Sequence, residues 1–205
     1  MEPTAARRSS RTYRRFVGLL LSVGVALTLL GACTSKTPAE QAQEELTAGL
    51  AADASGNLEE AATHYKACLT FEATNKFCIF NLGVQAQNAG RALEAENDYR
   101  LALLQDPNFP SALYNLAILR VAAGSLQEGI DLYKHLIEVD PNNASAHFNL
   151  GLALAASGDT VNGEREINEG IRLNPALIPP DSLPGQSAAP GPSVAPQSTP
   201  VPTAS

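Results

Sequence analysis

Pro110–Asn143 reads PSALYNLAILRVAAGSLQEGIDLYKHLIEVDPNN, and its pattern recurs 34 residues to either side. Residues 76–109 and 144–175 align with it without a gap, and a weaker copy fills residues 42–75. Within this register the fifteenth position is Gly56, Gly90, Gly124 and Gly158, and the twenty-fourth is Tyr65, Tyr99, Tyr133 and Ile167. The thirty-second is Ala73, Pro107, Pro141 and Pro175, and the sixth is Thr47, Asn81, Asn115 and Asn149. A fixed period of this length marks an array of stacked units and decides the fold before any single element is read.

One copy is two helices. Leu113, Leu116, Ala117 and Arg120, then Ile130, Tyr133 and Ile137, recur at spacings of three and four, which gives each half an apolar helical stripe. Gly124 is placed to take the left-handed backbone that stops the first helix. Ser125 with Glu128 has the spacing of a capping box for the second, and Asn57 and Asp159 are the equivalent caps in copies one and four. Arg91 breaks that pattern. In copies two and three the second helix ends at Asp106-Pro107 and Asp140-Pro141, because proline pushes its preceding residue out of helical geometry. Positions eight and twenty pair Gly49 with Ala61, Gly83 with Ala95, Ala117 with Gly129 and Gly151 with Gly163, which predicts a tight crossing of the paired helices.

These residues resemble the tetratricopeptide repeat, a 34-residue helix-turn-helix unit. The resemblance implies an all-α solenoid of four such repeats wound as a right-handed superhelix over residues 38–175. It also implies a concave groove, lined by the first helices, that binds an extended peptide or a helix. Carried onto this chain, the groove residues are Phe80, Asn81 and Val84, then Tyr114, Asn115 and Ile118, then Phe148, Asn149 and Leu152. The asparagine row offers amide donors and acceptors suited to a peptide backbone. The bland reading is packing between repeats. No lysine or arginine stands among these positions, so the family's basic clamp for acidic C-termini has no counterpart. The polar last helix, Thr160 to Leu173, keeps only Val161, Ile167, Ile171 and Leu173 as an apolar stripe and is expected to cap the stack itself.

Outside the array, residues 1–32 read as a processing segment. Five arginines lead into the apolar run from Phe16 to Leu30 and then Leu30-Gly31-Ala32-Cys33. The run is short for a membrane-spanning helix. Its end resembles a bacterial lipobox, in which Cys33 becomes the lipidated first residue of the mature chain. Residues 33–37 are then a tether, with Thr37 and Glu40 forming a capping box ahead of the first helix near Pro38. Without the leader the chain holds nine basic and twenty acidic residues, a net of −11, which disfavours nucleic acid and anionic head groups as partners. Residues 176–205 carry eight prolines and one charge, Asp181, and are expected to be disordered with polyproline character.

Chemistry has little footing in this sequence. His64, His135 and His147 fall at three different repeat positions, and no metal-binding, phosphate-binding or nucleophile motif is present. Neither an enzyme, a cofactor nor a small-molecule substrate is expected. Cys68 and Cys78 flank an inter-repeat turn and are read either as a disulfide formed after export or as two small core residues. The function expected is a membrane-anchored scaffold for envelope proteins or peptides. It would sit at the cell membrane or outer membrane, facing the periplasm or exterior. The alternative is an assembly lipoprotein of the kind found in pilus systems, delivering a client to a membrane.

Overall fold

In each copy the turn glycine has positive φ: 79° at Gly56, 74° at Gly90, 82° at Gly124 and 98° at Gly158. That backbone, which a side chain would strain, reverses the chain between two helices. The computed structural model describes residues 35–177. Expectations for residues 1–34, Cys33 included, and for residues 178–205 lie outside the described residues. The helices are α1 (Pro38–Ala54), α2 (Leu58–Phe71), α3 (Lys76–Asn88), α4 (Ala92–Gln105), α5 (Pro110–Ala122), α6 (Leu126–Val139), α7 (Ala144–Ser157) and α8 (Thr160–Leu173). A 3-10 turn over Pro175–Leu177 follows, and no strand occurs among the described residues. Each helix packs on the next in sequence. Odd-numbered helices are the first helices of their copies and even-numbered ones the second.

The core is divided among neighbours. One cluster joins Leu46, Ala61 and Tyr65 of copy one to Cys78 at the start of copy two. A second joins Phe80 and Tyr99 to Phe109, Ala112 and Leu116, and a third joins Tyr114 and Tyr133 to Ala146 and Leu150. No copy encloses its own core, so each apolar face is buried by the copy that follows it, as in a solenoid.

Helix starts follow the sequence only in part. Thr37 and Glu40 form the expected capping box, and Asp159 accepts from the Asn162 amide at 3.2 Å. Arg91 makes no cap, as its side chain dictates. Ser125 and Asn57, however, make no side-chain cap either. Ser125 Oγ instead accepts from the Arg120 guanidinium at 2.7 Å, and Asn57 Nδ2 donates to Glu60. Glu128 leaves the capping box because two arginines claim it: Arg120 Nε donates at 2.7 Å, and Arg100 reaches its other oxygen. Charge-assisted bonds outcompete a neutral cap. Asn75 and Asn143 cap α3 and α7, a role unassigned in the sequence reading.

The small-residue pairs also need correction. In copy four Gly151 and Gly163 do oppose each other, since a Cβ on Gly151 would lie 2.6 Å from Gly163 O. A Cβ on Gly129 would lie 3.3 Å from Ala117 O. In copies one and two the glycine faces a ring instead: a Cβ on Gly49 would lie 2.5 Å from Tyr65, and one on Gly83 2.8 Å from Tyr99. Position eight there is small to admit the position-24 tyrosine. At the far end Val161 is 78% exposed and no part of a buried stripe. The close contact of α8 is made by Gly163 and Gly170, whose missing Cβ atoms let the helix lie on the α7 backbone.

Candidate functional site

The nine residues proposed for the groove separate into two sets. Phe80 is buried, its ring 5.2 Å from that of Phe109 and 5.4 Å from that of Tyr99. Tyr114 is buried against Tyr133, with ring centroids 6.0 Å apart. Asn81 and Asn115 are buried as well. Asn81 Nδ2 donates to Phe77 O at 2.9 Å, and Asn115 Nδ2 lies 3.4 Å from the Tyr99 hydroxyl. Half-buried Asn149 donates to the Tyr114 hydroxyl at 2.8 Å. Asn81 and Asn115 are therefore held inside the stack and the Asn149 amide is committed to Tyr114, so the row presents no ladder to a ligand. The position-five rings Phe80 and Tyr114 pack inside their own copies, and Asn115 and Asn149 at position six reach a tyrosine of the copy before them.

What remains on that face is uncharged and mostly apolar. Val84, Ile118 and Phe148 are half-buried and Leu152 is 48% exposed. Gln87, Val121 and Ala155 lie three residues beyond Val84, Ile118 and Leu152 on their helices, so they share that stripe. None of these residues is charged. The even-numbered helices, by contrast, expose Arg100, Asp131, Glu164, Arg165 and Arg172.

Two tyrosine hydroxyls reach the same stripe. Tyr65 donates to Asp53, which also accepts from Gln85 at 2.9 Å, and Tyr99 donates to Gln87 at 2.6 Å. Position twenty-four thus bonds to position twelve within its own copy. The pairing lapses where position twelve is Val121 or Ala155. Burial pushes both hydroxyls well above the ordinary tyrosine range, and at Tyr65 the hydrogen bond to Asp53 adds to it. These hydroxyls are fixed donors, unsuited to proton transfer.

The histidines hold helices together. His64 Nδ1 meets Glu45 at 2.7 Å in copy one, and His147 Nδ1 meets Glu166 at 2.7 Å in copy four. The two pairs occupy the same two repeat positions with the partners exchanged. His135 bonds to Asn108. A cleft of about 360 Å³ opens between α6, α7 and α8, with Leu150 and Leu154 below and Lys134, Glu138 and Arg165 at its rim. No group of three or more His, Cys, Asp or Glu among the described residues is placed to hold a metal ion. Among the described residues Asp98 is the carboxyl most strongly displaced: burial, then Glu94, pushes it up to about 6, with Arg91 opposing. Cys68 and Cys78 are joined in a disulfide, with Cα atoms 6.5 Å apart. No helix of the described residues is long and apolar enough to cross a membrane.

Against known proteins, a family model described as a tetratricopeptide repeat matches residues 80–136, and one described as a TPR repeat matches residues 119–158. Residues 80–158 therefore match TPR repeats, and the described helices form a TPR-like solenoid. No curated protein matches it. Among solved structures, MamA is similar at 17% identity and a TM-score of 0.60, over 82% of this chain and 93% of that one. The pilF protein of Pseudomonas aeruginosa is similar at 20% and 0.61, over 67% of this chain and 63% of the other. An O-GlcNAc transferase from Thermobaculum terrenum is similar at 25% and 0.60, over 67% of this chain but 27% of its own. The shared property at these identities is the fold, which generally mediates contact between proteins.

Proposed function

We propose that this chain is a lipid-anchored scaffold of the cell envelope that holds protein or peptide partners on the face of α3, α5 and α7. The observation that carries this is the uncharged row Val84, Ile118 and Leu152, repeated every 34 residues and not wholly covered by the stack. A row with that period offers an extended or helical partner the same apolar foothold three times. Anchoring is supported by the basic leader, the apolar run and Leu30-Gly31-Ala32-Cys33. The Cys68–Cys78 bridge suits an oxidising compartment.

Crosslinked pull-down from membranes tests the whole reading. Ile118→Asp with Leu152→Asp should leave the helical signal intact and abolish partner capture, while Cys33→Ala should abolish fatty-acid labelling and leave unprocessed precursor. Unchanged capture by the folded double variant contradicts the face. Labelling that persists without Cys33 contradicts the anchor.

A further inference from the structure

The last described residues follow α8, whose final turns lie against the start of α7. Gly170, near the end of α8, lies against the first turn of α7: a Cβ there would be 2.8 Å from both Ala144 O and Phe148 N. The Pro175–Leu177 turn packs on α8, and Leu177 is half-buried. Ile178 falls 34 residues after Ala144, so the chain departs in phase with the repeat, where a further first helix would begin. Phe148 lies against α8 at Gly170, and Leu152, one turn further along α7, is 48% exposed while its equivalents Val84 and Ile118 are half-buried.

The sequence that follows matches the face in charge. Residues 182–205 contain no Asp, Glu, Lys, Arg or His, and Ile178, Leu183, Val194 and Val201 are spaced along a proline-rich stretch. A charged segment would lose hydration against an uncharged, partly apolar surface with nothing returned. This one would lose little, and proline-rich chain carries a small ordering cost where aromatic and apolar side chains receive it. Length is sufficient. Neighbouring helix axes lie about 8–10 Å apart, so three first helices span roughly 20 Å, and extended proline-rich chain advances about 3.1 Å per residue. The 28 residues from Ile178 on exceed that need several-fold.

We infer that the segment 178–205 of this chain occupies the α3, α5 and α7 face in cis and that a partner binds by displacing it. This rests on reading that face as the binding surface. Tethering makes weak contact effective: at an effective concentration of about 1 mM, a segment of ~0.1 mM dissociation constant fills its site about nine-tenths of the time. The segment then sets a threshold of affinity that a client must exceed, and shields Leu152 from non-specific association.

Methyl NMR on the chain from Thr34 onward tests this, since the compact unit begins at Thr37 and contains all three cores. A nitroxide is attached at Ser198→Cys with the Cys68–Cys78 bridge intact. The expected result is loss of the Leu152, Ile118 and Val84 methyl signals while Leu93 and Leu104, 80% and 74% exposed on α4, keep theirs. Replacing Leu183, Val194 and Val201 by Asp should restore the lost signals without touching the folded unit. Equal broadening of both leucine sets overturns the inference. Broadening that appears only when nitroxide-labelled and isotope-labelled chains are mixed also overturns it, by making the occupant a second copy. If the cis contact fails while Ile118→Asp with Leu152→Asp still abolishes partner capture, the binding face stands without its resident segment.

Discussion

Gly83 and Gly151 occupy the same repeat position and are small for different reasons. An added Cβ at Gly83 meets the Tyr99 ring at 2.8 Å and Asp98 Cβ at 3.0 Å, whereas at Gly151 it meets the backbone oxygen of Gly163 at 2.6 Å. A ring can tilt, but a helix backbone moves only with its whole element. Gly83→Ala should cost about 1–3 kcal/mol and Gly151→Ala more, read from denaturant unfolding. Equal losses would mean that the Tyr99 ring is held as rigidly as backbone. Asp98 supplies a pH signature. Its folded pKa, raised to about 6, lies above its ordinary value, so its contribution to stability is fully present in acid and is lost as the pH rises through about 6. Asp98→Asn imitates the neutral form. Its melting temperature should match the wild type near pH 3 and exceed it by a margin that opens as the pH rises from about 4 to about 6 and stays level above that; a gap constant with pH throughout contradicts this. Of these features the sequence displayed the glycine pairs but not their partners, because a ring at position twenty-four and a backbone at position twenty both demand a small neighbour.

At the scale of the helix, periodicity and punctuation were legible and local hydrogen bonding was not. Gly124, Asp106-Pro107 and Thr37 acted as their chemistry requires, since each is governed by the backbone within a few residues. Ser125 and Glu128 had the right spacing for a capping box yet were drawn away by Arg120 on α5 and Arg100 on α4. No local pattern encodes that competition. Glu128 is held below the usual carboxylate range by those two arginines despite the opposing effect of burial. The first inter-repeat turn is a related case. It has Ala73 where the later ones have Pro107, Pro141 and Pro175, and it is the turn spanned by Cys68 and Cys78, ten residues apart. A covalent bridge there does the restraining that proline does elsewhere. Reducing it should cost about 2–3 kcal/mol. In an array the loss should concentrate in α1 and α2, lowering their amide protection while α7 keeps its own. Two free thiols in the denatured, unreduced protein would show that the bridge does not form.

For the whole molecule, the repeat made the architecture readable and left its surfaces ambiguous. A 34-residue period states which side chains share a face, but not whether that face is inside the stack or outside it. Phe80, Asn81, Tyr114 and Asn115 were assigned to a groove by their position and lie in the core, while Val84, Ile118 and Leu152, assigned with them, remain at the surface. Part of the difference arises between copies, where Asn115 reaches the Tyr99 hydroxyl and Asn149 the Tyr114 hydroxyl, contacts that a single copy cannot disclose. The nine-residue groove thus narrows to an apolar row on three helices. Photocrosslinking residues placed at Ile118 and Leu152, and at Leu93 and Leu104 on α4, test that claim directly in cells. The account predicts partner adducts from Ile118 and Leu152 and none from Leu93 or Leu104; adducts confined to Leu93 and Leu104 would contradict it.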